Sequence, residues 1–154
     1  MLNFNENGYL SPFEAIATEV STAKSAFTFN EHRGVIWSYF EGFALELQNM
    51  LQMPFSIWVN GSFTTQKAPP NDLDCVVFID FEVYETHKKA LFLLQSKYEI
   101  MNIDSYLVIK YPQNHSKYSI YQLDKQDWFY LFGNTKRDVY SGLSYSKGFL
   151  QLNF

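Results

Sequence analysis

Cysteine occurs once in these 154 residues, at Cys75, so no internal disulfide can hold the chain together. Histidine occurs three times, and His32, His87 and His115 show no metal-ligand spacing, which assigns them to surface or capping positions. No apolar run is long enough to cross a membrane and no signal peptide is visible, so the expected location is cytoplasmic with no membrane partner. Charge is also sparse, at 18% of residues, and its balance of −4 argues against a general nucleic-acid binder while leaving room for a local basic patch. Nor is there an internal repeat, a low-complexity tract or a linker. A single domain over residues 1–154 is the simplest organisation, long enough to bury a core. What the chain has in plenty is aromatic residues, 19% of the total with 15 Phe and 11 Tyr. Core and interface packing is their first use, and a nucleobase-stacking platform is the competing one.

The stretch from Ser56 to Asp80, SIWVNGSFTTQKAPPNDLDCVVFID, carries the chemistry. Ile57, Trp58 and Val59 have the β-branched and aromatic content of a short buried strand. Leu73 to Ile79 forms a second apolar strand that opens on two aspartates. Side chains alternate along a strand, so Asp72 and Asp74 project to the same side, about 7 Å apart. Two carboxylates there repel and are costly to bury unpaired, and a divalent cation is the simplest compensation. Gly61-Ser62 follows the first strand. Glycine lets the backbone pass close to a ligand, serine can cap a helical turn, and the N–H groups of such a turn attract anions. A capped turn after Pro69-Pro70-Asn71 is the plainer explanation of the two acids taken alone. Cys75 points away from them and reads as a small core residue.

Periodicity organises the remainder. The N-terminal arm turns at Asn7-Gly8. Ser11-Pro12 with Glu14 reads as a helix start, with the helix running to about Lys24. Asn30 caps a longer amphipathic helix to about Leu51, whose apolar positions are Val35, Ile36, Tyr39, Phe40, Phe43, Leu47 and Leu51. Gly34 and Gly42 are candidate points of close packing. Residues 82–98 form another helix, with Ala90, Leu91, Leu93 and Leu94 on its inner side, and residues 102–111 form a third strand. Residues 124–132 read as a short aromatic helix stopped by Gly133, residues 134–146 as polar and turn-rich, and 149–152 as a closing strand.

An apolar residue, Gly-Ser, a gap of about ten, then Asp-apolar-Asp-apolar resembles the signature of the nucleotidyltransferase superfamily, the polymerase-beta-like fold. FNENGYLSP, GSFTTQKAPPNDLD, IDSYLVIKYP and KGFLQL resemble, in order and over nearly the whole chain, a family of small bacterial nucleotidyltransferase-like proteins known mainly as an uncharacterised domain. The resemblance implies an α+β fold with a small mixed β-sheet and helices packed mainly on one face. It divides the domain into an N-terminal arm and helices (1–54), a catalytic sheet core (55–111) and a C-terminal helix and closing strand (112–154).

The resemblance also implies a site. Asp72 and Asp74 would hold two Mg²⁺ ions, and Asp104, from a later strand, would be the third carboxylate and the general base. Asp80 is the rival for that place, but six residues of strand put it roughly 20 Å from Asp74, beyond any shared ion. Gly61 and Ser62 would orient the triphosphate, with Lys67 in the intervening loop a weaker contact. Arg33 matches a basic position of the resembled family, although a place on the solvated helix face is preferred. Lys147 has two equal readings, an ammonium brought near phosphate or a surface lysine at a turn. The implied reaction is in-line transfer of a nucleoside monophosphate from an NTP, ATP first among them, to a hydroxyl of a protein, RNA or small molecule, with a toxin–antitoxin or defence pair as one setting. The alternative is an inactive nucleotidyltransferase-fold module that binds or regulates.

Overall fold

The structure, a computed structural model, describes residues 1–66 and 69–154. Its first element is a hairpin of β1 (Asn3–Phe4) and β2 (Leu10–Ser11), paired antiparallel. The Asn5 side chain accepts from the Asn7 and Tyr9 amides, and Gly8 sits at φ +74°, so the turn expected at Asn7-Gly8 is present. The helix expected from Ser11-Pro12 is not. Ser11 ends a strand, and Ala15–Ala17 forms β3, lying parallel to the last strand of the chain. The cap-like residues there are overruled by a backbone ladder to residues more than a hundred positions away, a contact no local signal reports. The helix α1 begins later, at Val20–Phe27.

The long helix α2 (Glu31–Leu51) starts where expected, with the Asn30 side chain accepting from the Arg33 amide. Ile36, Phe40, Phe43, Leu47 and Leu51 are buried, but Val35 and Tyr39 point outward and Trp37 and Ala44 take inner places. Gly42 marks a close approach, since a Cβ there would stand 2.9 Å from the Tyr98 hydroxyl, whereas Gly34 faces open space. From α2 the chain enters β4 (Ser56–Asn60), a single 3₁₀ turn at Ser62–Thr64, and β5 (Leu73–Asp80). Helix α3 (Phe81–Glu99) then crosses to β6 (Ile103–Lys110), which lies parallel to β5. On α3 it is Leu91, Leu94 and Tyr98 that face inward; Ala90 and Leu93, expected there, are exposed. Helix α4 (Tyr118–Phe132) begins six residues before the aromatic segment that the sequence suggested, and β7 (Phe149–Asn153) closes the chain.

The five long-range strands form one mixed sheet in the order β3-β7-β4-β5-β6. The architecture is therefore α+β, and the sheet draws β3 and β7 from outside residues 55–111. Alternation along the strands sorts two cores. Ile57, Val59, Leu73, Cys75, Val77 and Ile79 pack under α1, α2 and α3, together with Phe27, Trp37, Phe40 and Phe43. The opposite face carries Trp58, Val76, Phe78, Val108 and Phe149, covered by Tyr121, Trp128 and Phe132 of α4. Trp58 is the centre of that smaller core, with rings of Phe78 and Phe149 at 4.6 and 5.0 Å and its indole N–H donating to Gln151. Even-numbered positions of β5 thus face α4, and Asp74 is the first of them. Among the described residues, no helix is long and apolar enough to cross a membrane.

Candidate functional site

Asp74 enters the site because β5 alternates: Cys75 and Val77 must point into the larger core, which turns Asp74 to the α4 face. The same logic acts on the next strand. Asp104 is the register partner of Asp74 in the parallel ladder, and Ile103 before it is fully buried in the larger core. On the other side Asn60, nearly buried, pairs with Asp74 across the antiparallel ladder. Three polar side chains therefore lie in a row across β4, β5 and β6, at the end of a sheet face otherwise filled with aromatic rings. Asp72 precedes β5 by one residue.

The electrostatics show that the acids sense one another. Burial raises the Asp74 carboxyl above the usual carboxylate range, the charges of Asp72 and Asp104 raise it further, and Lys136 and Lys147 pull against them. Asp104 is raised by burial, then by Asp72 and Glu99, with Lys136 again opposing. The Tyr106 hydroxyl, two residues along the same face of β6, is raised by burial and by the same three aspartates. Asp80 lies at the far end of β5, where it makes a 2.8 Å ion pair with Lys110 and takes no part.

The Gly61-Ser62 turn is pressed against this row. Gly61 adopts φ +83°, ψ −163°, a region that only glycine enters readily, and a Cβ there would run into the Asp74 carboxylate. Glycine is required at this point both for its backbone and for the space. Ser62 is exposed at the start of the 3₁₀ turn, and its carbonyl accepts from the Thr65 hydroxyl at 2.8 Å. Lys67 lies outside the described residues.

Arg33 is not on the solvated face. It is fully buried, its guanidinium donating to the Phe63 carbonyl at 2.7 Å and the Thr65 carbonyl at 2.9 Å. It also lies over the Phe29 ring at 4.4 Å and the Phe63 ring at 5.3 Å. Its planar fork therefore braces the turn from behind, a task the helical periodicity could not reveal. His32, one residue earlier, reaches the Pro70 carbonyl at 2.7 Å and ties α2 to the return of the same loop.

Lys147 is not a surface lysine. It is 6% exposed, its ammonium donates to the Gly61 carbonyl at 3.4 Å, and burial pushes its pKa down to about 8 against the attraction of Asp74. Lys136, from the turn-rich segment, is the cation the sequence gave no means of finding: its charge reaches both Asp74 and Asp104. With Arg137, Thr135, Ser141, Tyr9 and Tyr145 it lines a cleft of about 610 Å³.

Among the described residues, no three His, Cys, Asp or Glu side chains by themselves form a group able to hold a metal ion. Magnesium does not require one, because it is commonly held by one or two carboxylates together with water and substrate phosphates. The hard oxygen donors of Asp74 and Asp104, side by side on adjacent strands, fit that chemistry.

A model of a family of unknown function (DUF6932) matches residues 2–153. No curated protein and no solved structure matches the chain.

Proposed function

The chain belongs to this family of unknown function (DUF6932), and we propose that it is a metal-dependent nucleotidyltransferase. The observation that carries this reading is the register match of Asp74 with Asp104 under a glycine turn that closes directly on the Asp74 carboxylate. Such a pair of acids beside a close glycine turn suits an NTP whose phosphates bring Mg²⁺ with them.

In this proposal Asp74 and Asp104 would hold Mg²⁺, with the charge of Asp72 close by, and the ion would screen the phosphate charge and lower the pKa of the acceptor hydroxyl. Gly61 and Ser62 orient the triphosphate, and Arg33 keeps their turn in place. The acceptor oxygen attacks the α-phosphorus in line, the bond to the bridging oxygen breaks, and pyrophosphate leaves with the electron pair. Asp104 takes the acceptor proton as general base. The acceptor in this proposal is a hydroxyl of a protein, an RNA or a small molecule.

The second reading is a nucleotide-binding or regulatory module without catalysis, built on the same turn and acids. Incubation with each α-labelled NTP and Mg²⁺, with and without cell extract as the source of acceptor, separates the two. Label transferred by wild type and not by Asp74→Asn supports the enzyme. ATP binding without transfer to any acceptor supports the module, and neither binding nor transfer removes both.

A further inference from the structure

Lys147 is held in place by segments from distant parts of the chain. Its amide donates to the Gly133 carbonyl at the end of α4, and the Gly148 amide donates to the Leu10 carbonyl of β2, both at 2.8 Å. The Phe149 amide reaches the Glu14 carbonyl at 3.1 Å. Gly148 has no room for a side chain: a Cβ would collide with the Pro12 carbonyl and stand 2.9 Å from the Ile16 side chain. Three successive backbone hydrogen bonds and this close packing hold Lys147 at its buried position.

What the ammonium receives in return is slight. It has three N–H donors, and its hydrogen bond to the Gly61 carbonyl is long, at 3.4 Å. No ion pair within 4.0 Å is formed with Asp74, whose attraction it feels from farther off. Burying a cation with so few partners is unfavourable for folding alone. Its ammonium lies against the Gly61 turn and within the field of Asp74, where phosphoryl oxygens would complete its hydrogen bonds.

We propose that Lys147 is the protein's own cationic ligand for the polyphosphate of the nucleotide, binding phosphoryl oxygen at the Gly61-Ser62 turn on the side of Asp74 that faces β7. This rests on the nucleotidyltransferase reading and adds to it a substrate-binding residue from the last strand's entry, far in sequence from the acids. The competing role is purely local, with Lys147 serving only to offset the charge of Asp74.

The test is calorimetric titration of wild type, Lys147→Met and Lys147→Arg with MgATP and with magnesium tripolyphosphate, and of the same proteins with Mn²⁺ alone. Loss of a charged hydrogen bond to phosphate weakens both polyphosphates about ten- to a hundredfold in Lys147→Met, and Lys147→Arg recovers most of it. Mn²⁺ affinity is expected to hold or rise, because a cation beside Asp74 has gone. Polyphosphate affinity within about twofold of wild type in Lys147→Met overturns the proposal. So does a parallel loss of Mn²⁺, which would show that the lysine acts only through Asp74. Wild type that binds neither polyphosphate overturns the nucleotidyltransferase reading itself, whereas wild type that binds both and a Lys147→Met that binds equally well overturns the lysine's role alone.

Discussion

Replacing Lys147 with methionine should make the protein more stable, because the side chain keeps its length and loses a charge that the fold holds at a cost. With its pKa pushed down from 10.5 to about 8, the folded state resists the charged form by roughly 3 kcal/mol at neutral pH. Methionine removes that penalty but also takes a compensating cation from Asp74, so the expected net gain is about 2 kcal/mol. In a domain of this length that raises Tm by roughly 5 °C. The pH dependence is the sharper signature. Below the folded pKa both states carry the proton and the penalty is complete. Between about 8 and 10.5 the unfolded chain binds the proton that the folded chain has released, so wild-type stability from this group rises with pH. The advantage of Lys147→Met should therefore shrink across that window. Urea unfolding of both proteins in EDTA at several pH values measures it. A variant less stable than wild type near pH 7, or a difference that stays flat through the window, refutes the claim that the lysine is buried against the preference of the fold.

Asp74 titrates in the opposite sense. Its folded pKa is raised above 3.8, so the stability it contributes is present below that value and lost as pH rises through the folded pKa. Asp74→Asn is expected to melt higher than wild type in EDTA at neutral pH, while only wild type gains Tm on adding Mg²⁺; an equal Mg²⁺ gain in both would move the ion elsewhere. Gly61→Ala should cost about 1–3 kcal/mol from its backbone conformation alone, before the collision with Asp74 is counted. A urea-measured loss under about 0.5 kcal/mol would show that the turn is not constrained as described. Arg33→Met leaves the Phe63 and Thr65 carbonyls without their charged donor and should destabilise by about 3 kcal/mol, and Arg33→Lys should recover little because an ammonium cannot span both. Chemical denaturation of the two variants decides it, and full recovery in Arg33→Lys would remove the fork from the account.

The elements that could be read from the chain are those whose signal is local. Asn30 caps α2, the apolar run from Leu73 forms β5, the Gly61-Ser62 step makes the turn, and Phe149 opens a strand. The two-residue period of β5 already set Asp74 on the side opposite Cys75, and the separation along the strand already set Asp80 apart. The errors share one cause. Ala15–Ala17 is a strand because β7 lies beside it, and Val35, Tyr39, Ala90 and Leu93 face outward because helices meet the sheet along a line that periodicity alone does not orient.

The same division holds at the site. Sequence by itself determined which residue types stand near the turn and that Asp74 faces away from Cys75, since alternation is a property of the extended backbone. Tertiary structure alone decided that Asp104 lies level with Asp74, that Arg33 turns inward to the turn's carbonyls, and that Lys136 and Lys147 reach the acids from the last part of the chain. Those outcomes depend on strand order and crossover register, which are fixed by how whole faces pack, and a side chain's neighbours across a sheet are not encoded in its neighbours along the chain.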